Sequence, residues 1–170
     1  GQWTTHLPYN NGLQITQSED YIYYATAFSL LQIDKSDFSP KKITRTEGLS
    51  GSQINCIYFH QETKTLVIAY SDGLIDLVRE EGVSAVPDIK IYNNVPINKT
   101  IRSITGGDAQ HVFINADYGI SYLNLNNGSI AYTAFTPNLK INHTLKYKDA
   151  LYSATAKGLY KFDLKKNLLV

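Results

Sequence analysis

Residues 46–78 read TEGLSGSQINCIYFHQETKTLVIAYSDGLIDLV. A turn, Glu47-Gly48-Leu49-Ser50-Gly51, precedes the run Ile54-Asn55-Cys56-Ile57-Tyr58-Phe59. The polar stretch His60–Lys64 leads to Thr65-Leu66-Val67-Ile68-Ala69-Tyr70, and Ser71-Asp72-Gly73 turns the chain into Leu74-Ile75-Asp76-Leu77-Val78. Short β-branched and aromatic runs divided by Gly, Asp and Ser predict an antiparallel meander. The middle run is apolar at almost every position, so it is expected to be covered on both faces.

The same unit recurs. Gly73 opens GLIDLV, Gly119 opens GISYLN and Gly158 opens GLYKFD, while Ser29 stands in the glycine position before LLQID. The preceding runs are TLVIAY, HVFINA, ALYSAT and, in the first copy, YIYYAT. Upstream strands begin at Ile15, Ile54, Ile101 and Ile141, and weaker fourth strands follow at 41–45, 83–86 and 129–133. A period of about 40–45 residues is that of one four-stranded propeller blade. The predicted fold is all-β, a β-propeller with four blades at approximately 14–53, 54–100, 101–140 and 141–170. Residues 1–13, with Trp3, form a lead-in that could supply a closing outer strand. Propellers of this repeat length commonly close at about seven blades. The expectation is therefore a partial ring, with apolar faces on its first and last units that self-association would cover; the alternative is a tighter, closed four-bladed ring. The second unit has an expanded exit, Pro87–Thr100, where two prolines limit strand pairing and Asn93-Asn94 is read as a hairpin tip.

Residues 46–75 resemble the repeat of two-component regulator propellers, in which a Gly-Leu-Ser turn precedes the inner strand and Leu-Trp-Ile-Gly-Thr leads into Gly-Leu. Here residues 66–70 are LVIAY, so the Trp and Gly-Thr are absent. The opening WTTHLPYN of residues 3–10, with LVIAYSDGLIDLV, resembles more closely the N-terminal propellers of the PorZ family. Those are surface components of the type IX secretion system of Bacteroidetes. The resemblance implies a non-enzymatic scaffold in the complex that processes and anchors secreted cargo. Its partners would be other secretion-complex proteins or a surface glycan, at the outer-membrane surface or in the periplasm. In that family, lipopolysaccharide recognition is ascribed to a separate C-terminal domain. The rival implication is a periplasmic oligosaccharide-sensing propeller of a hybrid two-component system, and a propeller glycosidase or lyase is a third class.

The 16 Lys and Arg and 15 Asp and Glu are interspersed and give a net charge of +1, which offers no basic field for nucleic acid. No apolar run reaches the ~18 residues of a membrane-spanning helix. Cys56, the one cysteine, reads as a small core residue. His6, His60, His111 and His143 are scattered, so no metal or other cofactor is expected. Nucleophile-elbow, zinc-protease and phosphate-loop motifs are missing, and no catalytic residue stands out. Asp34 and Asp163 share a repeat position that favours a turn role over acid–base chemistry. Three Asn-x-Ser/Thr sequons, at Asn98, Asn127 and Asn142, carry no functional weight.

Geometry selects one candidate face. In a four-stranded meander, the turn between strands two and three lies on the same side as the connection to the next blade. Candidate binding residues on that side are Phe28, Asp72, Asp117, Tyr118 and Lys157.

Overall fold

The structure, a computed structural model, describes residues 9–94 and 97–163. The lead-in around Trp3, Pro96, and any fourth strand after Asp163 lie outside those residues. Four antiparallel sheets follow one another along the chain. Blade one is β1 (Gln14–Gln17), β2 (Tyr21–Ala25), β3 (Leu30–Asp34) and β4 (Pro40–Ile43). Blade two is β5 (Ile54–His60), β6 (Thr65–Tyr70), β7 (Ile75–Arg79) and β8 (Gly82–Val86). Blade three is β9 (Ile101–Asp108), β10 (His111–Ala116), β11 (Gly119–Asn124) and β12 (Ser129–Phe135). Blade four is β13 (Ile141–Tyr147), β14 (Ala150–Thr155) and β15 (Gly158–Asp163). Each sheet runs in chain order, so every blade is the meander that the repeat predicts.

The first strand of each blade lies innermost. β5 packs against β1 on one side and β9 on the other, and β9 packs against β13. An innermost strand has one edge without a sheet partner, and its amides need other acceptors. Side chains of the preceding blade satisfy several of these amides and carbonyls. Gln14 Oε1 accepts from the Ile57 amide at 2.9 Å, Asn55 Nδ2 donates to the Ile101 carbonyl at 3.2 Å, and Ser103 Oγ donates to the Asn142 carbonyl at 2.7 Å.

Three apolar seams hold the blades face to face. Tyr23, Leu30, Ile57, Phe59, Ile68 and Leu74 join blades one and two, with Tyr23 stacked on Phe59 at 5.8 Å. Val67, Ala69, Ile75, Leu77, Val112 and Ile114 join blades two and three. Phe113, Ile120, Tyr122, Ile141 and Leu151 join blades three and four. Every residue of β6 is buried, as its unbroken apolar run requires. β14, in the last unit, is covered less completely. In β14, Ala150, Leu151 and Ser153 are buried, Tyr152 and Thr155 are half-buried and Ala154 is exposed. Among the described residues, only one face of that sheet has a neighbour.

Turn chemistry explains the corners. Asp34 Oδ1 accepts from the Ser36 amide at 2.8 Å, the local turn role expected for it. Gly51 sits flat on the Tyr70 ring, where an added Cβ would come within 2.3 Å of the ring carbons. Three details differ from the sequence reading. Residues 45–47 form a short 3-10 helix capped by Thr44 and Glu47, a Thr-x-x-Glu capping box. Gly106-Gly107-Asp108, a cluster whose composition reads as the turn between the first two strands of the third unit, continues β9 instead. Asn93-Asn94 is not a hairpin tip, because the chain forms a one-turn helix, α1 (Asp88–Ile91), just before it.

Candidate functional site

The loop face collects the turns between second and third strands and the connections between blades. Phe28 lies there, 74% exposed, and Lys157 is exposed in the turn between β14 and β15. The other three candidates are engaged. Asp72 Oδ2 pairs with Lys90 Nζ at 2.8 Å while Oδ1 caps the Leu74 amide at 3.1 Å. Asp117 is nearly buried at its side chain: Arg102 pairs with it, Asn98 Nδ2 donates to it at 2.9 Å, and Lys140 Nζ stands 3.7 Å away. Asp117 therefore ties the connections on both sides of blade three to its own turn. Tyr118 is buried, and its hydroxyl meets Ser121 Oγ at 2.8 Å. Burial pushes its pKa up to about 12, against the opposing pull of that bond. The five residues do not form one cluster of side chains; they are spread over four turns, with Asp117 and Tyr118 sharing the one between β10 and β11.

What the face does contain is a cleft of about 400 Å³ between the exit segment of blade two and the outer half of blade three. The exit segment reaches this position through α1. Pro87 occupies the N-cap position with no side-chain capping bond, so the helix has little intrinsic support. Tertiary contacts fix it instead. Ile89 is buried in the seam between blades two and three, and Lys90 is held by Asp72. Gly73, at φ +86°, opens the space, because a Cβ there would come within 2.9 Å of Ile89 and 3.4 Å of the Lys90 amide.

The cleft floor is apolar, built from Ile89, Ile97 and Ile130. One wall is aromatic: Tyr92 and Phe135 lie 5.6 Å apart, and Tyr118 packs on Phe135 at 6.0 Å. Ser121 and Thr133 run up the strand side with their hydroxyls 2.8 Å apart, and Asp88, Asn93 and Asn94 complete the rim. Of these residues, Tyr118 alone is among the candidates that the sequence selects. The remaining signal is the expanded exit itself, the longest departure from the repeat.

The opposite face gathers two of the scattered histidines at one residue. His60 Nε2 donates to the Asp108 carbonyl at 2.8 Å, since a carbonyl can only accept, and its Nδ1 accepts from the Thr63 amide at 3.3 Å. His111 Nδ1 meets Asp108 Oδ1 at 2.7 Å and its ring stacks on Tyr122 at 4.5 Å. Burial pulls the Asp108 carboxyl upward, but hydrogen bonds from Tyr122, the Gln110 amide and His111 outweigh it and hold the pKa well below the usual range. This arrangement links blades two and three. Among the described residues no group of three or more His, Cys, Asp and Glu side chains is placed to hold a metal. Cys56 is buried in the second seam, and burial pushes its thiol up to about 12.

Residues 22–169 match the family model described as "TSS9, PorZ, N-terminal beta-propeller domain". The chain belongs to the PorZ N-terminal β-propeller family. Among solved structures, PorZ of Porphyromonas gingivalis, an essential bacterial surface component of the type IX secretion system, is similar with a TM-score of 0.82 and 23% identity. The similarity covers 94% of this chain and 21% of that one. The extracellular domain of the putative hybrid two-component system BT4673 from B. thetaiotaomicron is similar at a TM-score of 0.75 and 17% identity, over 95% of this chain and 22% of that one. The computationally designed Ika4 protein matches at 0.70 and 10% identity, over 96% of this chain and 99% of its own. These likenesses show a shared propeller fold, and the chain spans about a fifth of the length of the two natural proteins. None of the curated proteins matches the sequence. No helix among the described residues is long and apolar enough to cross a membrane.

Proposed function

We propose that this PorZ-family propeller is a non-enzymatic recognition module of a type IX secretion surface complex, working through its loop face at the outer-membrane surface. Family membership over residues 22–169 is the observation that carries this reading. The construction of the loop face supports it. Asp72 and Asp117, the carboxylates that a hydrolase would need there, are committed to Lys90 and Arg102. They hold loops in place, and loops on a rigid scaffold are where binding is usually built. No turnover of a glycan is expected, and cleavage abolished by Asp72→Asn or Asp117→Asn would contradict the reading.

Affinity capture of the full-length tagged protein from cells tests the partner. Other secretion-surface proteins should co-purify, and Phe28→Ala with Lys157→Glu should reduce their yield. An undiminished yield sinks the loop-face assignment. Co-purification of a histidine kinase instead would favour an oligosaccharide-sensing role, the reading supported by the fold shared with BT4673. Exposed Leu145, Tyr147 and Leu159 on blade four support pairing of two copies as part of the same proposal. A strict monomer in sedimentation equilibrium would remove that part.

A further inference from the structure

We infer that the cleft between α1 and β12 binds a neutral saccharide of one to two sugar rings. The inference deepens the recognition role proposed above and rests on it only for its biological setting; the chemistry comes from the cleft.

Four features of the cleft converge on this class of ligand. The first is its origin. The connection from blade two to blade three breaks the repeat and folds over the seam between them. Insertions into a repeat scaffold map to loops on one face, which is often the binding face.

The second is the aromatic wall. Phe135 is 47% exposed although it packs against both Tyr92 and Tyr118. An uncovered ring supported from behind by other rings offers a flat apolar surface at low entropic cost. The C–H face of a pyranose is the complementary surface.

The third is the polar rim. The carboxamides of Asn93 and Asn94 and the carboxylate of Asp88 have no hydrogen-bond partner among the described residues. Each carboxamide offers donors and an acceptor side by side, which suits adjacent sugar hydroxyls. The hydroxyls of Tyr118, Ser121 and Thr133 form a chain with two bonds between them. Three O–H groups carry three protons, and two bonds use two of them. One donor is left over whichever way the chain is oriented.

The fourth is charge. No Lys, Arg or His lines the cleft. The two lysines of the segment are spent elsewhere: Lys90 on Asp72, and Lys99 on the Lys90 carbonyl. An anionic ligand would meet Asp88 with no compensating cation, so phosphates, uronic acids and nucleic acid do not fit. The volume of about 400 Å³ falls at the lower end of small-ligand sites, which run from roughly 300 to 1,000 Å³.

The test is nitrogen-15 amide shift mapping during titration with neutral trisaccharides (maltotriose, cellotriose and mannotriose), with trigalacturonate as the anionic control. Saturable shifts from at least one neutral sugar, centred on residues 88–94, 118–121 and 130–135, are expected. Phe135→Ala and Asn94→Ala should each weaken that binding at least about tenfold while leaving the melting temperature unchanged. Trigalacturonate should shift none of these residues. The inference is overturned if no neutral sugar produces shifts there, if trigalacturonate binds equally well, if Phe135→Ala binds like the parent, or if a hydrophobic peptide alone shifts the site. Phe135→Ala should also leave the co-purification of secretion proteins intact. Loss of sugar binding with capture retained supports the saccharide site, whereas failed capture with sugar binding retained contradicts only the secretion role.

Discussion

Blades two and four are copies of one repeat, yet their burial differs. Leu74 and Leu159 hold the same position, just after the turn glycine, and are 7% and 74% exposed. The next residues, Ile75 and Tyr160, are 0% and 39% exposed. β7 continues as a buried strand, while most of β15 is exposed. Local sequence made both blades, but a one-residue change in the turn shifts the register: Ala69 pairs with Ile75, whereas its repeat equivalent Ala154 pairs with Leu159, so Leu74 and Leu159 project from opposite faces of their sheets. Neighbours decide what each face then meets: among the described residues, blade two has a seam on each face, and blade four has one, on the face away from Leu159. In a repeat scaffold each unit contacts only adjacent units, so stability follows position in the array.

The strongest way to break this comparison is to charge the middle of blade two. Ile68 is fully buried in the first seam, and a carboxylate there would have no partner. Ile68→Asp should abolish the cooperative unfolding transition, because desolvating an unpaired charge rivals the whole stability of a domain. A normal melt would place β6 outside the seam.

A matched pair sharpens it. Leu74→Ala should cost about 2–4 kcal/mol through lost burial and a residual cavity. Leu159→Ala, at the same place in the repeat sequence but on the uncovered face of blade four, should change stability by no more than about 0.5 kcal/mol. Equal losses in chemical denaturation would show that blade four is packed on both faces.

A smaller effect probes the link on the opposite face. The folded-state pKa of Asp108 is depressed, with upward-pulling burial outweighed by bonds from Tyr122, Gln110 and His111. A depressed carboxyl stabilises the fold above its unfolded pKa, and the benefit is lost as pH falls through the folded value. Asp108→Asn should therefore lower the melting temperature at pH 7. The gap from the parent should shrink below about pH 4, the region where an unperturbed carboxyl takes up its proton. A gap of constant size would assign the loss to packing alone.

Much of the fold is legible in the sequence because its signals are local. The turn glycines, the five- and six-residue apolar runs and the constant offsets between them locate the strands within a residue or two. Tertiary causes are not legible. α1 has no side-chain cap and exists because Ile89 enters a seam and Lys90 meets Asp72. Asp117 reads as a free loop acid, but Asn98, Arg102 and Lys140 converge on it from elements distant in sequence. Tyr118 is marked by the repeat, yet the partners that make it part of a cleft come from β12 and from a segment outside the repeat. The capping box at Thr44 and Glu47 was readable from its Thr-x-x-Glu spacing alone.

The central claim is that recognition runs through the loop face. Site-specific photocrosslinking in cells tests it most directly, with a photoreactive phenylalanine analogue placed at Phe28 on that face or at Gln110 in the β9–β10 turn on the opposite face. The expected result is crosslinked products from position 28 and none from position 110. Equal crosslinking from both positions, or crosslinks from position 110 alone, would contradict it.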